Sequence, residues 1–216
     1  MTDLVESARM STLHLRLWRP ICKAIASGFV FLLGTVRVRG KYRVPQKGGL
    51  LILSNHLSDL DPIVVQVVCP RPVHFMAKSE LFEMRILGRL LRGFGSFPVK
   101  RGEPDRGALK TAAQLLKDGD AVVVFPEGEI SESGDLLELK SGIALIIRLA
   151  AGVPVICCGI QHTQLTMPYG KVVPRPAFHH MDAVWGEART FGKDDTAEEI
   201  LGWATAQLKQ LTHEGE

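Results

Sequence analysis

No CxxC pair and no zinc-type spacing occur among the four cysteines, Cys22, Cys69, Cys157 and Cys158. They read as reduced, mostly buried thiols of a cytosolic protein. The N-terminus lacks the basic n-region of a secretory signal and carries Asp3 and Glu6 there instead, so no signal peptide is expected. No uncharged apolar run approaches the ~20 residues of a membrane-crossing helix; the longest, Ala24–Val36, has 13. No internal repeat, linker or low-complexity stretch is present. What remains is a chain of 216 residues, 46% hydrophobic and 23% charged, with the makeup of one globular domain that buries a substantial core.

The net charge is only +3, but it is unevenly placed. Residues 1–43 carry Arg9, Arg16, Arg19, Lys23, Arg37, Arg39, Lys41 and Arg43 against Asp3 and Glu6, a sum of +6, and the rest of the chain sums to −3. A local excess of this kind marks a surface that meets an anionic partner. Leu13, Leu17, Trp18, Ile21 and Ile25 recur at helical spacing among the basic residues. A helix with an apolar stripe, a basic border and a tryptophan suits the headgroup region of a bilayer, although the same stripe could pack on the protein's own domain. Membrane lipid is thus one candidate partner of this segment beside the protein's own domain, and no nucleic acid is expected.

Downstream, short apolar runs alternate with helical patterns. Strands are expected at Leu50–Ser54, His74–Lys78, Phe97–Val99, Ala121–Phe125 and Val153–Cys158. Helices are expected at Pro62–Val68, Glu80 to about Arg92, Asp105–Lys117 and Ser141–Ala151. A last helix follows the capping box Thr196–Glu199. The alternation predicts an α/β domain with a largely parallel central sheet flanked by helices. In such sheets ligands bind beyond the carboxyl ends of the strands. Two polar clusters stand there: Ser54-Asn-His-Leu-Ser-Asp-Leu-Asp61, and Phe125-Pro-Glu-Gly-Glu-Ile-Ser131 with Ser133 and Gly134.

His56 and Asp61 lie five positions apart across a strand-to-helix turn. An imidazole oriented by a carboxylate is a general base, but Asn, Ser and Asp at a helix start are also ordinary capping residues. Glu127 and Gly128 follow a buried strand, where backbone N–H groups can face a ligand. Lys100 and Arg101 after a short strand could clamp a phosphate. A metal-dependent phosphoesterase built on His56, Asp59, Asp61, Glu127 and Glu129 is an alternative, and a non-catalytic lipid-binding module is another.

Taken in order, NHLSDLD, KSELF…G…GSFPVKR, FPEG…S..G and GVPVICCGI resemble the four sequence blocks of the glycerolipid acyltransferase superfamily, of the lysophosphatidate acyltransferase type. The resemblance spans about residues 50–160 and implies the glycerol-3-phosphate acyltransferase-like fold. It implies transfer of a fatty acyl chain from acyl-CoA or acyl-carrier protein to the hydroxyl of a lysolipid such as 1-acyl-glycerol-3-phosphate, with no further cofactor and no metal. It makes His56 the base and Asp61 its partner, with Asp59 on a variable position. Arg101 would bind the acceptor phosphate, Glu127 and Gly128 would shape the acceptor site, and Pro154 would lie in a strand beside the acyl-donor site. Lys78, or backbone amides near Glu127–Glu129, would stabilise the oxyanion. The resemblance also favours a membrane-associating segment over 1–43, a catalytic domain over 44–216, and a peripheral or monotopic enzyme on the cytoplasmic face.

The third block departs from the common FPEGTRS, with Glu129 and Ile130 in place of Thr and Arg. Losing that arginine removes a charge-assisted contact to a phosphate, so a different lysolipid acceptor is a live alternative. Arg85 and Cys157 stand where prolines are usual, and neither touches the proton chemistry.

Overall fold

The computed structural model of the chain describes residues 12–100, 105–171, 173–176 and 179–213. The chain opens with helix α1 (Thr12–Leu33), strand β1 (Thr35–Arg39) and a 3₁₀ turn at Lys41–Arg43. Then follow β2 (Leu50–Ser54), α2 (Asp61–Val68), β3 (His74–Lys78), α3 (Ser79–Glu83), α4 (Arg85–Gly93) and β4 (Phe97–Val99). The second half runs α5 (Arg106–Lys117), β5 (Ala121–Val124), α6 (Gly142–Leu149), β6 (Pro154–Gln161), the short α7 (Thr163–Thr166), β7 (His180–Trp185), β8 (Arg189–Thr190) and α8 (Ala197–His213).

The strands form one sheet in the order β1-β7-β6-β2-β5-β3-β4, with β8 pairing the start of β6. As the alternation predicts, the sheet is mostly parallel: β6, β2, β5, β3 and β4 all run one way. Parallel strands are buried on both faces, which is why Leu50–Ser54 and Ala121–Val124 are apolar at nearly every position. Alternate side chains serve opposite layers. Leu51, Leu53, Val122, Val124 and Cys157 pack beneath α5, α6 and α8. Leu50, Ile52, Val123, Ile156 and Cys158 join Val30 and Leu33 of α1 and Val64 and Val65 of α2 on the other side.

Three strands were not anticipated. In β1, Val36 and Val38 alternate with Arg37 and Arg39 on an exposed edge, so the strand reads as a basic tail. It nevertheless pairs in register with β7, Val36 opposite Met181 and Arg37 opposite Asp182. The sheet therefore begins inside the segment 1–43. β7 runs antiparallel to β6, outside the βαβ rhythm, and β6 itself extends three residues past Cys158 to Gln161. The single helix expected over 80–92 is broken at Met84, whose extended backbone turns α3 into α4. Gly88 closes this corner: a Cβ there would sit 2.3 Å from the Phe82 carbonyl oxygen.

Among the described residues no helix is long and apolar enough to cross a membrane. α1 has two apolar stripes. Cys22, Ala26, Val30 and Leu33 are buried against the domain, whereas Ile25, Phe31 and Leu32 are 65%, 76% and 77% exposed. Part of the basic border is spent within the fold: Lys23 donates to the Cys69 carbonyl at 2.6 Å, Arg37 grips Asp182 through two nitrogens, and Arg43 donates to the Trp185 carbonyl.

Candidate active site

Register aligns the carboxyl ends of three neighbouring strands, with Leu53 opposite Val124 on one side and Cys157 on the other. The segments after β2, β5 and β6 therefore emerge together. Asn55 ties the first to the third: its Oδ1 accepts from Ile160 N at 2.7 Å and its Nδ2 donates to Ile160 O at 2.9 Å. A side-chain amide here substitutes for a missing rung of the ladder.

The segment after β5 holds the backbone of His56 from both sides. His56 N donates to Glu127 Oε1 at 2.7 Å, and Ser131 N donates to His56 O at 2.8 Å. The second oxygen of Glu127 accepts from Leu137 N at 2.8 Å. Glu127 is buried, and burial raises its carboxyl above the usual range while the two N–H donors pull it back down. Both of its oxygens are occupied within the fold. Glu127 thus fixes the His56 backbone through one oxygen and the Leu137 backbone through the other. Gly128 adopts φ +77°, and its N–H closes a tight turn onto Phe125 O at 3.1 Å, so this amide is spent in the turn.

The His56 ring stacks on Phe125 with 4.2 Å between centroids and 21° between planes. Its Nδ1 lies 2.9 Å from Asp61 Oδ2. A carboxylate only accepts, so Nδ1 carries the proton and the basic lone pair is left on Nε2. Asp61 is fully buried and its oxygens meet four donors. Leu57 N at 2.6 Å and Ser58 N at 2.8 Å join His56 on Oδ2, and Thr163 Oγ1 donates to Oδ1 at 2.5 Å. Hydrogen bonds to a charged group are worth ~1.5–3 kcal/mol each, which offsets the cost of burying the carboxylate. Ser58 does not cap α2 with its hydroxyl but donates it to Met167 O at 2.7 Å.

Among the described residues no serine, threonine or cysteine side chain is bonded to His56. Ser54 donates to Asn55 O, Ser58 to Met167 O, and Ser131 lies beside Ser133 and accepts from Gly134 N. Burial pushes the Cys157 thiol up to about 12 and raises Cys158 as well, so neither is a thiolate nucleophile.

A model of the acyltransferase family matches residues 35–161, more than half of the chain. The chain belongs to the acyltransferase family. It is 34% identical over 119 residues, 55% of its length, to the 1-acyl-sn-glycerol-3-phosphate acyltransferase of Bacillus subtilis. It is 33% identical over 159 residues, 71% of its length, to the lyso-ornithine lipid O-acyltransferase of Rhizobium meliloti. It covers 59% and 53% of these two proteins, and so spans about half the length of the curated relatives it matches. The crystal structure of the 1-acyl-sn-glycerophosphate acyltransferase of Thermotoga maritima has the same fold, with a TM-score of 0.80, 22% identity, and coverage of 98% of this chain and 86% of that one.

The remaining site residues anticipated for an acyltransferase fare differently. Lys78 is exposed at the carboxyl end of β3, the same edge of the sheet as His56 but beyond the intervening β5. Arg101 lies outside the described residues. Pro154 opens β6 opposite Thr190, four residues before Cys158, which pairs with Ser54. At about 3.3 Å per residue that is ~13 Å along the strand from its pairing with Ser54, so Pro154 stands at the opposite end of the sheet from His56. The set proposed for a metal is not brought together either. Asp59 and Glu129 are exposed, Asp61 and Glu127 are buried and saturated by donors, and among the described residues no three His, Cys, Asp or Glu side chains are grouped as ligands.

Thr163, 102 positions from Asp61, escaped the sequence reading, as did the stacking of Phe125, which opens the second polar cluster, on His56. For Thr163 the available signal was its place just beyond the carboxyl end of a buried strand, the rule that singled out residues 54–61. His162 precedes it in the left-handed conformation, φ +68°, with its ring 3.2 Å from the buried Asp182.

Proposed function

We propose that this chain is an O-acyltransferase that moves a fatty acyl group from a thioester donor, acyl-CoA or acyl-carrier protein, to the hydroxyl of a lysolipid, with 1-acyl-glycerol-3-phosphate as acceptor. The observation that supports it is the buried His56–Asp61 pair, 2.9 Å apart, with no side-chain nucleophile among the described residues bonded to the imidazole. Such a pair suits direct attack. His56 Nε2 takes the hydroxyl proton as the lysolipid oxygen bonds to the thioester carbon. The tetrahedral intermediate then expels the thiolate, which receives the proton from His56. Asp61 steadies the imidazolium formed in between. Lys78 is the side-chain candidate for the oxyanion, a role worth ~3–4 kcal/mol for a well-placed donor. No metal is needed, because the thioester leaving group is already good.

The exposed apolar stripe of α1 would seat the enzyme on the bilayer that holds its acceptor, as a peripheral protein of the cytoplasmic face. A second acceptor reading is supported by Ile130. Without an arginine there, a lysolipid lacking a phosphomonoester is served equally well, and the Rhizobium meliloti relative is named for one such acceptor.

Purified protein incubated with acyl-CoA, acyl-carrier protein and a panel of lysolipids, followed by mass spectrometry, tests this. Transfer should survive a chelator and vanish in His56→Ala. Full activity in that variant, or none with any donor in the unaltered protein, would overturn the assignment.

A further inference from the structure

Among the described residues His162 is the one non-glycine residue with a positive φ. It joins the end of β6 at Gln161 to the start of α7 at Thr163. A left-handed backbone is unfavourable for a residue with a side chain and persists where the surroundings fix it. Here the ring is what is fixed. Asp182 stands opposite Gln161 of β6 on one side and opposite Arg37 of β1 on the other, so the sheet register sets it beside the bend. Asp182 is 1% exposed, and Arg37 grips its carboxylate through Nε at 3.0 Å and Nη2 at 3.1 Å. A carboxylate only accepts, so His162 Nδ1 is the donor in the 3.2 Å bond to Asp182 Oδ2. The ring is therefore tied to an acid that is itself immobilised.

The bend matters because α7 is joined to the His56–Asp61 turn at both ends. Thr163, its first residue, donates Oγ1 to Asp61 Oδ1 at 2.5 Å, and the carbonyl of Met167, just past its last, accepts from Ser58 Oγ at 2.7 Å. Leu165 N and His179 Nε2 each donate to the His162 carbonyl at 3.2 Å, which holds the peptide between His162 and Thr163. We propose that His162 is a positioning residue. Tied to the Arg37–Asp182 pair, it keeps the left-handed bend that aims the Thr163 hydroxyl at Asp61, and so fixes the carboxylate that orients His56. Its effect on rate rests on the acyl-transfer reading above. The connection runs from β1, inside the segment 1–43, through Arg37, Asp182, His162, Thr163 and Asp61 to the base. A pair that merely stabilised the edge of the sheet would leave the imidazole unaffected, and that difference can be measured.

The His162 side chain is 37% exposed, so its variants should fold, which circular dichroism checks. His162→Gly accepts the left-handed backbone but has no ring to tie, whereas His162→Asn accepts it and keeps an N–H donor for Asp182. In steady-state acyl transfer the glycine variant should lose about tenfold in kcat with both KM values unchanged, and the asparagine variant should stay within about twofold of the unaltered protein. In a Thr163→Val background, where the hydroxyl is already gone, His162→Gly should cost less than about twofold more. A fully additive loss, an unchanged kcat in the glycine variant, or a raised KM at constant kcat would overturn the proposal. The His56 Nδ1 proton bonded to Asp61 gives a readout independent of turnover, followed by NMR and assigned by its loss in His56→Ala. Its resonance should shift or broaden in His162→Gly as in Thr163→Val, and hold in His162→Asn. A resonance that moves this way in a protein that transfers no acyl group would refute the acyl-transfer reading and leave the positioning role standing. Transfer by the unaltered protein, with kcat and resonance both intact in His162→Gly, would do the reverse.

Discussion

Replacing Thr163 by valine removes one hydroxyl and little volume. The shape of the site should survive, while Asp61 Oδ1 loses its donor, 2.5 Å away. Asp61 is fully buried, so water does not substitute for the missing hydrogen bond. A hydrogen bond to a charged group is worth ~1.5–3 kcal/mol, and 1.4 kcal/mol is about tenfold in rate, which bounds the loss at roughly tenfold to a hundredfold. The loss should appear in kcat. The carboxylate keeps its three contacts on Oδ2 but loses its fixed rotation, so the imidazole it orients samples non-productive poses. Thr163 is fully buried, so KM for donor and acceptor should hold. The assay is steady-state transfer of radiolabelled acyl groups to lysolipid, with circular dichroism to show that the variant folds. Thr163→Ser, which keeps the hydroxyl, should restore most of the rate. A folded valine variant with kcat within about twofold of the unaltered enzyme, or a raised KM at constant kcat, would refute a positioning role for Thr163.

Other outcomes follow from the same geometry. Glu127→Gln offers one acceptor to two backbone N–H donors, His56 N and Leu137 N, and should cost about 1–3 kcal/mol in denaturant titration as well as lowering kcat. Burial raises the Glu127 carboxyl, so the folded state holds its proton more tightly than the unfolded one. Its contribution is then fully present below the ordinary carboxylate range and is lost as pH rises through the raised value. The stability of the unaltered protein relative to Glu127→Gln should therefore be larger near pH 4 than at pH 7, and the opposite trend would contradict that linkage. Ile25→Glu with Phe31→Glu and Leu32→Glu spares the buried stripe of α1 and should abolish cosedimentation with anionic vesicles. Deleting α1 would instead uncover Val30 and Leu33 in the core, so binding is better tested by the exposed stripe. Ile130→Arg should lower KM for 1-acyl-glycerol-3-phosphate about tenfold, through a charge-assisted contact, without changing kcat. An unchanged KM would remove position 130 from acceptor recognition.

Strands buried on both faces, and the polar residues just past them, were legible because period and apolarity are local properties. Leu50–Ser54 and its His56–Asp61 turn could be read that way. β1 and β7 could not, since an edge strand bearing Arg37 and Arg39 owes its place to a partner some 145 residues away. The break at Met84 escaped for a related reason. Both flanking segments are good helices, and the turn is enforced by the close contact of Gly88 with Phe82. The place of Glu127 was legible but its bonds were not, since the amides of His56 and Leu137 that its two oxygens meet lie 71 and 10 positions away. Pro154 lies in a strand as expected, but a block of sequence covers a whole strand and does not say which end of it a residue occupies; Pro154 is at the start of β6.

The segment after β5 joins two functions that the sequence shows as one motif. Glu127 and Ser131 bracket the backbone of His56, one accepting its N–H and the other donating to its carbonyl, and so they set where the base stands. Ile130 lies between them, half-buried and outside that pair of bonds. Any residue that keeps the backbone path is therefore tolerated at 130 without moving the imidazole. On the proposed reading, a change at this position would alter acceptor contacts without moving the imidazole, because the hydrogen bonds that hold the His56 backbone come from Glu127 and from the Ser131 main chain. The same separation lets the chain hold the NHLSDLD turn with its FPEG support while carrying isoleucine, not a charged residue, at position 130.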